Sequence, residues 1–231
     1  MLDFSPFKVL TFDCYGTLID WESGILAALH PTFVAHRIKV NEDELLARYA
    51  QHETEIEAGP YRRYRDVLAE VVVRLGNDYG FTPTDNEQRS LAESIRNWQP
   101  FTDTVSALQR LASHYSLVIL SNIDDDLFAL TQPKLGVNFT DVITAQQVGN
   151  YKPSRRNFEV ALQRIARDKA EVLHVAQSLF HDVAPARALG IATAWINRRH
   201  GKEGSGATPL SSARPDETFA TVAELATAAN L

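Results

Sequence analysis

Apolar positions along this chain change their period twice. Val9, Leu10, Thr11 and Phe12 form a short, partly β-branched run that stops abruptly at Asp13, the pattern of a strand buried on both faces of a parallel sheet. Between Trp21 and Trp98 the spacing becomes helical: Ile25, Leu26, Leu29, Phe33 and Val34, then Leu45, Leu46 and Tyr49, then Tyr64, Val67, Leu68, Val71, Val72 and Leu75, and finally Leu91, Ile95 and Trp98. Asn41 followed by Glu44 resembles a capping box, Gly59–Pro60 separates two helices, and Gly76 to Pro83 carries turn and stop signals.

From Phe101 onward the pattern alternates. It predicts helix 104–112, strand 116–120, helix 125–134, strand 141–144, helix 154–167, strand 172–176, helix 182–189, strand 193–196 and helix 221–229. Strands alternating with helices build βαβ units. The expected fold is therefore α/β, a doubly wound, Rossmann-like parallel sheet made by residues 1–20 and 99–231. Residues 21–98 are expected to form an inserted all-helical cap domain over the end of the sheet where chemistry sits. His200 to Pro215, rich in Gly, Ser, Arg and Pro, reads as an exposed loop within reach of the cap or a partner.

Composition narrows the function. The 231 residues are 45% hydrophobic and 23% charged, ordinary values for a globular chain of one large domain or a domain with an insert. A net charge of −6 argues against nucleic acid or a membrane surface as partner, whereas a small anionic substrate needs only a local positive pocket. The lone Cys14 excludes an internal disulfide framework. Without a signal-peptide pattern or an apolar run of roughly 20 residues, a cytoplasmic enzyme is expected.

Four stretches carry the candidate chemistry, each at a strand end: Asp13-Cys14-Tyr15-Gly16-Thr17, Ser121-Asn122, Lys152-Pro153, and Gln177-Ser178 through Asp182. Taken singly, Asp13 is a turn cap, Ser121 and Asn122 cap a helix, Lys152 is a surface lysine and Asp182 an N-cap. On one rim they become a nucleophilic carboxylate, a small polar pair, a lysine and a second carboxylate.

In order, FDCYGT, ILSN, NYKP and SLFHD resemble the motifs of the haloacid dehalogenase superfamily over essentially the whole chain. The YGTL, YKP and TAWINR forms resemble its type II 2-haloacid dehalogenases. That resemblance implies Asp13 as nucleophile, Thr17, Ser121 and Asn122 as contacts for substrate or halide, Lys152 steadying the charges and Asp182 supporting hydrolysis. It also implies that Arg48, in LLARYAQHE, meets the substrate carboxylate or departing halide. Tyr15, Tyr64, Phe158, Gln177 and His181 are pocket candidates, the last three departing from the family's residues. The basic run GPYRRYR, 59–65, offers Arg62, Arg63 and Arg65 to a carboxylate and Tyr61 or Tyr64 as walls, against a plain reading as a solvated helix face.

A magnesium-dependent phosphatase of the same superfamily is the alternative enzyme, with Asp13 and Asp182 as ligands. Such an enzyme carries a second Asp two residues after the nucleophile to protonate an alkoxide. Here that position is Tyr15, and Gln177 stands where a further carboxylate is common. Halide leaves without a proton, so no metal and no other cofactor is expected. A binding protein that kept the fold after losing turnover is the non-enzymatic alternative, and a homodimer is compatible with the sequence.

Overall fold

β1 (Val9–Phe12) is buried along its whole length and hydrogen-bonds in parallel to a strand on each side. In this computed structural model, which describes residues 2–202 and 204–231, those neighbours are β2 (Ser116–Ser121) and β4 (Val172–Ala176). With β3 (Asp141–Thr144), β5 (Ala192–Ile196) and β6 (Glu217–Phe219) they make a parallel sheet in the order β3-β2-β1-β4-β5-β6. The strand order reverses at β1, and the crevice outside the carboxyl ends of strands at such a reversal is where α/β sheets bind ligands.

Alternation along β1 divides the core. Leu10 and Phe12 join the apolar cluster that holds α5 (Thr104–Ala112) and α10 (Val222–Ala228), while Val9 joins a second cluster with α8 (Arg155–Ile165) and α9 (Ala184–Ala188). Helices therefore cover both faces. The short α6 (Asp125–Thr131) and α7 (Ala145–Val148) follow β2 and β3.

Between β1 and β2 stand α1 (Trp21–Ala35), α2 (Glu42–Glu57), α3 (Tyr64–Tyr79) and α4 (Asp85–Ser94). Their ends follow local chemistry. Asn41 accepts from the Glu44 amide at 3.0 Å, and Thr84 with Glu87 forms a reciprocal capping box that the apolar pattern did not disclose. The α3 N-terminus has no local cap; the Tyr64 and Arg65 amides donate at 2.9 and 3.1 Å to Asp124, which lies between β2 and α6.

Several expectations are corrected. β6 is a sixth strand of three residues, too short to show a period. The predicted helix 182–189 begins as a π turn over Leu179–Val183 before α9, and helix 125–134 gives way after Thr131 to a 3₁₀ turn that admits Pro133. Val34 is 58% exposed despite its apolar spacing. The loop 200–215 is not wholly exposed, because Ala207 and Thr208 are buried. No helix among the described residues is long and apolar enough to cross a membrane.

Candidate active site

β1 delivers Asp13 to the edge of the sheet, where its amide still donates to the Val175 carbonyl at 3.1 Å. The turn that follows is tight. Gly16 has φ +92°, and a Cβ there would lie 2.8 Å from Trp21 Nε1, so both backbone and space require glycine. Thr17 Oγ1 donates to Asp13 Oδ2 at 2.7 Å and accepts from the Gln177 amide at 2.8 Å. Arg198, the arginine of TAWINR, donates through Nε and Nη2 to the Thr17 carbonyl at 3.1 and 2.9 Å. The turn is thereby tied to β4 and β5.

Lys152 is 1% exposed and has three acceptors for its three protons: Asp13 Oδ1 at 2.9 Å, Asp182 Oδ1 at 2.6 Å and the Leu120 carbonyl at 2.9 Å. Behind it, His174 spans Thr11 Oγ1 and Asp182 Oδ1 at 2.8 and 2.9 Å. Burial raises the Asp13 carboxyl, opposed by the Lys152 ammonium and reinforced by the Asp182 charge. For Asp182, burial is outweighed by Lys152 and the His174 hydrogen bond, which hold it at about 2. Burial would lower Lys152, but its two carboxylate partners raise it. Lys152 is thus the fixed counter-charge of a buried carboxylate pair.

In front of this pair lies a cavity of about 40 Å³. Asp13, Ser121 and Asn122 reach it from the ends of β1 and β2, whereas Lys152, expected at a strand end, comes from the loop between α7 and α8, and Asp182 from the π turn after β4; Trp21, Glu53, Glu57 and Tyr64 reach it from α1, α2 and α3; Tyr15, Ser178, His181 and Thr208 complete the wall. Two buried polar atoms of that lining, Ser121 Oγ and His181 Nε2, have no partner. Burial holds His181 down at about 4, so the ring is neutral at physiological pH, with Ser178 Oγ 3.2 Å from Nδ1. Asn122 is pinned by its exchange with the Lys152 backbone, accepting at 2.7 Å and donating at 3.0 Å, and it donates to Glu57 at 3.1 Å.

Not every expected residue reaches the cavity. Arg48 lies on the outer face of α2, bonded to Glu44 and Asp78 and 5.5 Å from the Tyr79 ring centroid. Five and nine residues further on, Glu53 and Glu57 fall roughly 140° and 180° around the helix, so α2 turns carboxylates inward where the arginine was expected. Phe158 lies in the second apolar cluster, edge-on to His174 at 5.1 Å, and shapes no part of this cavity. Thr17 is fully buried and holds Asp13 instead of lining the cavity. Gln177 lines a neighbouring cavity of about 380 Å³ with Gly16 and Trp21. Tyr15 and Tyr64 are pocket walls, with the Tyr15 hydroxyl 2.8 Å from Thr131 Oγ1.

Two arginines of the basic run 59–65 are engaged by carboxylates of the protein itself. Arg63 and Arg65 both pair with Asp124 and Asp126. Glu53, Glu57, Trp21, His174 and Thr208 were not singled out from the sequence, whereas Ser178 lies in the fourth candidate stretch. Two of them left a signal: Glu53 interrupts the apolar stripe Leu45, Leu46, Tyr49 and Ile56, and His174 interrupts β4.

Among the described residues, no group of three His, Cys, Asp or Glu is placed to hold a metal ion. Lys152 Nζ, moreover, is bonded to both carboxylates that would serve as ligands.

Residues 7–190 match the family model of the haloacid dehalogenase-like hydrolases. The chain is 25% identical over 201 residues to (S)-2-haloacid dehalogenase 1 of Pseudomonas sp. (strain CBS-3), covering 84% of this chain and 86% of that one. It is 26% identical over 221 residues to (S)-2-haloacid dehalogenase H-109 of Pseudomonas putida, covering 90% and 94%. Among solved structures, the L-2-haloacid dehalogenase of Xanthobacter autotrophicus with chloropropionic acid covalently bound superposes with a TM-score of 0.79 at 20% identity, over 97% of this chain and 98% of that one.

Proposed function

The chain belongs to the haloacid dehalogenase-like hydrolases, and on that footing we propose that it hydrolyses the carbon–halogen bond of a short 2-haloalkanoic acid through an ester on Asp13. One observation carries the reading: the Lys152 ammonium bonded to both Asp13 and Asp182 at the floor of a small cavity. Its single positive charge offsets part of the negative charge of a nucleophile and its partner. Relatives named as 2-haloacid dehalogenases, and a similar fold holding a chloropropionic acid covalently, support the same chemistry.

In the first step an Asp13 oxygen attacks the halogen-bearing carbon, a carbon–oxygen bond forms, and the halide departs with the electron pair. No proton is needed, which suits Tyr15 in the place of a general acid. The unpartnered Ser121 hydroxyl lies on the rim where negative charge leaves carbon, beside Asn122, whose amide protons are held by Glu57 and the Lys152 carbonyl. In the second step water attacks the ester carbonyl of Asp13, and the acyl–oxygen bond breaks to release the 2-hydroxy acid. Asp182, held ionised, and neutral His181 are the cavity-lining acceptors for the water proton. Helices α1 to α4 act as the cap that keeps bulk water from the ester.

The test is a single turnover in heavy-oxygen water with excess enzyme. Solvent oxygen is expected in the Asp13 peptide, and Asp13→Asn should release no halide while keeping its melting temperature. Label in the product alone would mean that water attacked the substrate carbon. Activity lost to a chelator and restored by magnesium, or release of phosphate from phosphomonoesters, would instead favour the phosphatase reading.

A further inference from the structure

The α2 side of the cavity is acidic where a simple haloacid anion would need a cation. Among the described residues that line it, Lys152 is the one basic side chain, and its three protons are taken. Glu53 accepts from the Tyr49 and Tyr64 hydroxyls at 2.7 and 2.6 Å, and Glu57 accepts from Asn122. Both carboxyls are therefore held as acceptors, one helical turn apart on the same face. Trp21, Tyr15 and Tyr64 present aromatic surface beside them. At the strand-end side, Ser121 is 2% exposed and its unpartnered hydroxyl faces the same cavity. A ligand thus meets the free Ser121 hydroxyl beside the Lys152 charge at one end and acceptors with aromatic walls at the other.

We propose that the preferred substrate is a zwitterion: a short 2-haloacid that also carries a protonated amine, with its carboxylate toward Ser121 and Lys152 and its ammonium against Glu53 and Glu57. The proposal rests on the reading of Asp13 as the nucleophile of carbon–halogen hydrolysis. Two carboxyls lie together here, and the one cation acting on Glu57 is Lys152, whose protons are already shared with Asp13 and Asp182. Burial pushes Glu53 up to about 7, and burial with the Glu53 charge pushes Glu57 well up. An ammonium supplies the charge they lack, and aromatic faces add cation–π attraction. A haloacid without an amine brings an anion to a cavity faced by the Asp182 carboxylate and by two carboxyls that ionise more readily beside an ammonium.

Two substrates of equal size separate the cases: 3-amino-2-chloropropanoate, and 2-chlorobutanoate, with a methyl group in place of the ammonium. Halide release should show kcat/KM roughly tenfold higher for the amino compound, the size of one cation contact. That ratio should fall toward one in Glu57→Gln and in Glu53→Gln, each checked for folding by circular dichroism. Equal turnover, or a preference for 2-chlorobutanoate, overturns the zwitterion and leaves dehalogenation standing. Halide from neither compound overturns dehalogenation itself. Recognition is then read by calorimetry on the wild-type chain with 3-aminopropanoate and butanoate: tighter binding of the amino compound supports the proposal, and equal or tighter binding of butanoate overturns it.

Discussion

At the scale of single residues the site is a set of buried ionisable groups whose shifts oppose one another. His181 is held at about 4 against an ordinary 6.5, so its neutral burial stabilises the fold above pH 6.5, and that stability is lost as pH falls toward 4. Glu53 runs the other way. Raised from 4.5 to about 7, it stabilises most below pH 4.5 and loses that contribution as pH rises through 7. Between pH 4.5 and 6.5 the two slopes offset each other. A wild-type stability profile should therefore be nearly flat with respect to this pair. His181→Asn should uncover the Glu53 slope, gaining about 3 kcal/mol relative to wild type as pH is lowered from 7 to 4. Urea unfolding at half-unit pH steps measures it. Parallel profiles for the two proteins would mean that the His181 ring is hydrated in solution.

At the scale of elements, a helix is specified by its stripes and by the room left for them. α2 has an apolar stripe broken by Glu53, so its inner face is both a packing surface and a source of carboxylates. α1 comes so close to the indole of Trp98 that a Cβ on Gly24 would lie 2.5 Å from it. On an open helix face, Gly→Ala stabilises by about 1 kcal/mol through propensity alone. Here the methyl group must displace a packed ring, and overpacking costs about 1–3 kcal/mol. Gly24→Ala should thus lose stability, with a change in tryptophan fluorescence marking the indole's movement. A gain in stability would show that Trp98 can give way freely.

At the scale of the whole molecule, one buried carboxylate, Asp124, is among the contacts that hold the helices between β1 and β2 to the sheet. Asp124 accepts the first two amides of α3, with the Arg63 and Arg65 guanidiniums 3.7 and 3.6 Å away. Because α3 also carries Tyr64 to the cavity, this contact sets both stability and the position of a wall. Asp124→Ala removes a cap worth about 0.5–2 kcal/mol and leaves two buried amides unpaired at about 1–3 kcal/mol each, although water entering at the half-exposed arginines recovers part of that cost. A net loss of about 2–4 kcal/mol is expected, with faster proteolysis between Gly59 and Arg63. Asp124→Asn, which keeps one acceptor oxygen, should fall between. Unchanged proteolysis in Asp124→Ala would mean that apolar packing alone seats the helices.

What the sequence determined by itself is what depends on neighbours along the chain. The β-branched run ending at Asp13, the helical spacing from Trp21 and the strand–helix alternation after Phe101 each state a local preference, and strand ends brought Asp13 and Ser121 to one rim because parallel strands share a direction, while Lys152 and Asp182 arrive on the connections that leave β3 and β4. The tertiary structure decided the rest. Whether α2 turns Arg48 or Glu53 and Glu57 toward the cavity is a matter of helical phase, set by which stripe meets α3 and α1. That Phe158 packs behind His174, that Thr208 folds into the wall, and that Asp124 caps a helix sixty residues earlier are contacts between distant segments. Their physical reason is shared: a buried polar group must find its partner wherever packing places one, and spacing along the chain carries no record of that distance.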